Sequence, residues 1–112
     1  MSARFIHEGK SIDYTPGSAV TAGDVVVQGD LIGVAPRSIV SGALGALQVA
    51  GIFDFPKDTG SGTDIDAGAK LWWNATDGQV EKVVGDPARP YLGKAVLAAG
   101  VDDEHVRVRL SQ

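Results

Sequence analysis

What most limits the folds open to this chain is how often its apolar runs are broken. Short apolar or alternating stretches are cut throughout by Gly, Pro, Asp and Asn, and no segment sustains the period of an amphipathic helix. Fifteen of the 112 residues are glycine, about twice the usual share. The pattern predicts an all-β fold with strands at Arg4–Glu8, Ser11–Tyr14, Asp24–Gln28, Leu31–Ala35, Leu47–Phe55, Lys70–Asn74, Gln79–Val84, Tyr91–Leu97 and His105–Leu110. Short strands spaced in this way fit a small β-sandwich or barrel with long glycine-rich loops. The length suits a single β domain over residues 1–112, with residues 1–8 as an N-terminal arm.

Several breaks carry a specific turn chemistry. Thr76-Asp77-Gly78 lies between two strand-like runs and predicts a hairpin joining Lys70–Asn74 to Gln79–Val84, because Asp and Gly tolerate positive φ. Ser38–Ala50 has enough Leu and Ala for a short helix, but Gly42 and Gly45 weaken it, so it reads as a loop leading into a strand. Lys57–Asp64 is polar and reads as a mobile surface loop. Val20-Thr21-Ala22-Gly23-Asp24-Val25-Val26 is echoed by Ile65-Asp66-Ala67-Gly68-Ala69-Lys70-Leu71, which reads as one common turn used twice.

Charge and composition narrow the function. Ten Lys and Arg face 14 Asp and Glu for a net charge of −4, and neither half of the chain is basic. A duplex-binding surface needs gathered cations, so direct nucleic-acid binding is not expected. The absence of cysteine removes a disulfide framework, a zinc–thiolate site and a thiol nucleophile. No run approaches the roughly 20 apolar residues that span a bilayer, and the N-terminus lacks a signal-peptide core. The expectation is a chain made in a cytoplasm with no membrane partner.

The candidate chemical motifs are weak. Gly9-Lys10-Ser11 matches the tail of a phosphate-binding loop, but Arg4 occupies the place of its first glycine and a strand follows where a helix should open. His7 and His105 stand without a second ligand at a metal spacing, and the acidic clusters lack the order of a calcium loop. No G-x-S-x-G motif is present. The reading is a non-enzyme with no catalytic, metal or cofactor residues and no cofactor. Alternation along strands is more informative. Leu71 and Trp73 should point into the core, leaving Trp72 outside as a contact residue. Val106, Val108 and Leu110 should point in, leaving His105, Arg107 and Arg109 out, with two cations suited to an acidic partner.

In order along the chain, Phe5-Ile6-His7-Glu8-Gly9-Lys10-Ser11-Ile12, Val20–Val26, Gly33-Val34-Ala35, Gly51-Ile52-Phe53-Asp54-Phe55-Pro56-Lys57, Ala67–Asn74, Leu92-Gly93-Lys94-Ala95 and Val106–Leu110 resemble the phage capsid cement, or decoration, family. That family was long filed as a domain of unknown function and often mislabelled a RecA-like recombinase. The chain departs from the family pattern at Ser38–Ala50, where members tend to carry a short Gly-Glu or Gly-Asp loop, and at Ala69, where an acid is common. The resemblance implies a structural homotrimer on the outer surface of the virion capsid, bridging neighbouring copies of the major capsid protein. On that reading Ser2, Ala3, Arg4, Phe5 and Ile6 of the arm contact the capsid, and Trp72, Arg107 and Arg109 form the subunit interface. The alternative is a virion-associated β-sandwich binding module for carbohydrate or host adhesion, with Trp72, Trp73 and Tyr91 as a stacking platform.

Overall fold

In the computed structural model, which describes residues 3, 4, 6, 9–85 and 88–112, every regular element is a strand. The strands are β1 (Ser11–Tyr14), β2 (Val25–Gln28), β3 (Leu31–Val34), β4 (Gly45–Gln48), β5 (Gly51–Pro56), β6 (Lys70–Asn74), β7 (Gln79–Glu81), β8 (Tyr91–Ala95) and β9 (His105–Leu110). They form two antiparallel sheets packed together as a small β-sandwich. Sheet I has the order β1-β4-β3-β2 and sheet II the order β5-β9-β8-β6-β7.

The expected strands recur with two informative differences. The single run read as Leu47–Phe55 is two strands, β4 in sheet I and β5 in sheet II. Only Val49 and Ala50 separate them, and Gly51 follows at φ 127°. A continuous apolar run thus conceals the step from one layer to the other, where a left-handed glycine lets the chain change direction. Arg4 and Ile6 are not in a strand, and the rest of the Arg4–Glu8 run lies outside the described residues. Ser38–Ala50 is loop and then strand, as its glycines suggested.

The hairpin forms as predicted, and Asn74 holds it. Its side-chain oxygen accepts the backbone N–H groups of Thr76 and Asp77 at 3.1 and 3.2 Å. Its amide donates to Asp77 at 3.0 Å and Glu81 at 3.3 Å. An asparagine mimicking a backbone turn in this way explains how a polar side chain is buried here without an unmet hydrogen bond.

The main core lies between the sheets. Ile32 and Val34 of β3 pack into a cluster with Phe55, Ile65, Leu71, Trp73, Val80, Leu92, Val106, Val108 and Leu110. Trp73 meets Phe55 edge to face at 5.9 Å, and Phe55 meets Phe53 at 6.1 Å. Ala35, Ile39 and Leu47 are buried as well, yet lie outside that cluster. A Cβ built on Gly33 would sit 2.8 Å from the Leu47 Cβ, which puts Leu47 on the Gly33 face of sheet I, opposite Ile32 and Val34. Sheet I therefore carries buried apolar side chains on both faces, one of them against sheet II. The last two residues tie the layers at a further point. Ser111 donates its N–H to Leu92 O of β8 at 3.1 Å. The Gln112 amide donates to Ile32 O and accepts Ile32 N–H, in the manner of a short strand beside β3.

The echo between residues 20–26 and 65–71 belongs to a larger internal repeat. Strands β1, β4, β3 and β2 have the same order and pairing as β5, β9, β8 and β6, with β7 added at the edge. Val20 and Ile39 exchange two backbone hydrogen bonds of 2.8 Å, as do Ile65 and Ala99. Gly23 donates to Ala35 O and Gly68 to Ala95 O, both at 2.7 Å. The register repeats too, with Val25 opposite Val34 and Val26 opposite Gly33, against Lys70 opposite Lys94 and Leu71 opposite Gly93. Gly33 and Gly93 hold the same place, and each is approached closely from the next strand of its own sheet, Gly33 by the Leu47 side chain and Gly93 by the β9 backbone. At Gly93 a Cβ would lie 2.0 Å from the Arg109 backbone oxygen.

That overlap sets a test of the packing. Gly93→Ala is expected to lose about 3 kcal/mol, the upper range for overpacking a tight site. Gly17→Ala, where nothing lies within 4 Å, is expected to stay within about 0.5 kcal/mol of the parent. Urea midpoints of the two variants measure both.

Candidate interaction faces

The outer face of sheet II carries most of the residues singled out from the sequence. On β9, Val106, Val108 and Leu110 are buried while His105, Arg107 and Arg109 are exposed. On β6, Leu71 and Trp73 are buried, Trp72 is half-buried and Lys70 is exposed. Trp72 sits opposite Tyr91 and Glu81 beside a register shift after Leu71. Its ring meets Tyr91 edge to face at 5.9 Å and 68°. Trp73 lies on the other face, in the core, so a platform of Trp72, Trp73 and Tyr91 does not form. The two outer rings stand steeply to one another and offer no common plane on which a sugar could stack.

Arg107 and Arg109, read alike from the sequence, have different surroundings. Arg107 lies opposite Asp54 of β5. Its Nε donates to Asp54 Oδ1 at 3.0 Å and its Nη2 to Oδ2 at 3.3 Å. This paired geometry suits the planar guanidinium. The hydrogen bond holds the Asp54 carboxyl below its ordinary value, ahead of the smaller opposing effect of desolvation. The same bond raises Arg107. Arg109 lies between Ile52 on β5 and Lys94 on β8, and among the described residues no carboxylate is bonded to it.

Of the arm residues, Ala3, Arg4 and Ile6 are exposed, Ile6 at 76%. Ser2 and Phe5 lie outside the described residues, as does His7. Gly9 and Lys10 form a turn into β1, so the phosphate-loop tail opens no helix. His105 is exposed opposite Pro56. Among the described residues no three His, Cys, Asp or Glu gather as a metal site would require.

Lys57 was missed from the sequence, where it opens a polar stretch. It is buried at 6% exposure. Its Nζ donates to the backbone oxygens of Asp58, Gly100 and Asp103 at 2.7, 2.9 and 2.9 Å. Its backbone N–H donates to Glu104 O at 2.9 Å. One ammonium thus satisfies three carbonyls and binds the 57–60 segment to the turn before β9. Gly60 N–H to Val101 O at 2.8 Å adds to the join. The signal is absent from the sequence because the three acceptors are backbone atoms, two of them more than 40 positions away.

The sequence model of one protein family, described as phage cement protein, matches residues 6–110 of the chain. No curated protein and no solved structure matches it.

Two measurements follow from these contacts. Lys57→Met keeps the aliphatic stem but leaves three inward carbonyls without a donor. It is expected to cost about 2–4 kcal/mol, read as a lower urea midpoint. The Asp54 carboxyl should titrate by NMR below the roughly 3.9 of a free aspartate, and Arg107→Gln should bring it back up. Because the folded value is depressed, the pair's contribution is present above the unfolded pKa and is lost as pH falls through the folded one.

Proposed function

The chain belongs to the phage cement protein family, whose members are structural proteins of the phage capsid, and we propose that it binds the outer surface of the head and holds neighbouring major capsid protein subunits together. The family match over residues 6–110 carries this reading. The physical character of the molecule supports it. A sandwich with its core closed between two sheets and a broad charged outer face is suited to adding contact area to a shell. Many weak contacts repeated around a head give avidity without a deep pocket. The protein acts here by adhesion, with no bond made or broken.

In this role the arm, Ser2 to Ile6, lies against the coat, and the chain assembles as a homotrimer through the face bearing Trp72, Arg107 and Arg109. An exposed apolar side chain such as Ile6 on a terminal segment is the kind of residue that gains order from a partner. Trp72 and Arg109 are of the residue types that dominate interface energetics. Arg107 enters as one half of an ion pair, so its contact is through a neutral Asp54–Arg107 unit.

Heads assembled with and without the protein provide the test. Heads lacking it are expected to release DNA at lower temperature and to break more readily on osmotic shock. Equal robustness would overturn the proposed role. A chain shortened by residues 2–6 is expected to lose head binding while keeping its mass in solution.

A further inference from the structure

Three cations stand side by side on the outer face of sheet II. Lys70 faces Lys94 across β6 and β8, and Lys94 faces Arg109 across β8 and β9. All three are exposed. Like charges directly opposite on neighbouring strands destabilise a sheet. Among the described residues no carboxylate is bonded to any of them. The contrast is with Arg107, two residues along β9 from Arg109, which is paired with Asp54 of β5. In the first half of the internal repeat, the positions of Lys70 and Lys94 are held by Val25 and Val34, which pack into the core. Replacing that apolar pair by a like-charged one, with no neutralising acid bonded to it among the described residues, leaves a row open to counter-charge from outside the chain.

The same chain carries the complement at one end of sheet II. Six acids flank the Ile65–Ala99 bridge and the turn before β9. Asp58 caps the Thr59 N–H, Asp64 lies 3.9 Å from Lys82, and Asp103 accepts the Gly100 N–H. Asp66, Asp102 and Glu104 are exposed, and among the described residues their carboxylates have no partner. From His105, next to Glu104, to Arg109 is four steps of strand, about 13 Å at the usual rise. That separation puts the turn's acids and Arg109 out of ion-pair reach within one copy. Setting the three cations aside, a net charge of −4 leaves −7 on the rest of the chain, so two copies repel unless they meet through unlike patches.

We infer that the Lys70–Lys94–Arg109 row is the surface on which a second copy docks, presenting its Asp66, Asp102 and Glu104 end. Apolar neighbours frame the row. Ile52, 59% exposed, continues it beyond Arg109, and Trp72 with Tyr91 borders it on β6 and β8. Joining two different patches of one chain makes a head-to-tail contact, which closes into a ring when the rotation allows. The inference gives the proposed trimer its chemistry and rests on that reading only for the ring's size.

The test is the mass of the full chain in solution at about 50 mM and about 500 mM NaCl, where screening lengths differ roughly threefold. The parent should associate at low salt and weaken by about tenfold or more at high salt. Lys94→Glu with Arg109→Glu should be monomeric at both, and so should Asp102→Lys with Glu104→Lys. Mixed, the two variants should associate again, since each then offers the other an unlike patch. Unchanged thermal unfolding of each variant serves as the control for folding. A parent that stays monomeric, a reversed row that keeps the parental mass, or variants that fail to rescue each other would overturn the inference. None of these results depends on heads. If the reversed row keeps its mass but no longer binds heads, the row meets the coat, and the capsid role survives without this contact.

Discussion

Two side chains of β3, Ile32 and Val34, cross from sheet I into the apolar face of sheet II, and the arrangement of the whole molecule depends on that contact. An antiparallel sheet can leave one face in water, so neither four-stranded unit needs the other to satisfy its backbone. What each lacks alone is a cover for its apolar face. Sheet II presents Phe55, Leu71, Trp73, Val106, Val108 and Leu110, and sheet I supplies the cover. Because that cover comes from one face of sheet I, Leu47 is buried on the other face, where Ile39 packs over Gly45 of β4. The charged row on sheet II is exposed for the same reason, since the opposite face of that sheet is the one already filled.

The internal repeat makes this asymmetry visible. Two units with the same strand order and nearly the same register are used in opposite senses. The pair Val25 and Val34 points into the shared core, while the equivalent Lys70 and Lys94 point to water. The equivalent glycines, Gly33 and Gly93, are each approached so closely by the neighbouring strand of their sheet that a Cβ would clash. Elsewhere the residues diverge, since burial and not backbone geometry sets their identity. This explains why only a seven-residue echo survived in the sequence. The turn at Gly23 and at Gly68 needs a positive φ in both halves, whereas the strands that follow answer to different solvents.

The contact residues were legible to different depths. Period-two alternation separated Trp72 from Trp73 and Arg107 from Val106 and Val108, because successive residues of a strand must point to opposite faces. It could not separate Arg107 from Arg109. They share a face and a strand, and only the pairing of β5 with β9 decides that Asp54 meets one and Ile52 the other. Nor could it place Lys94 and Lys70 beside Arg109, since the three come from strands distant in the chain. Lys57 was misread for a related reason. A lysine in a polar stretch is ordinarily solvated, and its burial here comes from carbonyls of a turn brought over by β9.

The sequence by itself determined the local conformation. Breaks at Gly, Pro and Asp set the strands, the Asp-Gly turn set the β6–β7 hairpin, and alternation set which side chains share a face, since all three depend on steric limits within a few residues. Tertiary structure alone decided which strands are neighbours, that the run from Leu47 to Phe55 is divided between two layers, and which cations gain a partner. Those outcomes turn on hydrogen-bond pairing and apolar cover between segments far apart in the chain. No local pattern encodes them, because the free energy that selects them appears only when the sheets are brought together.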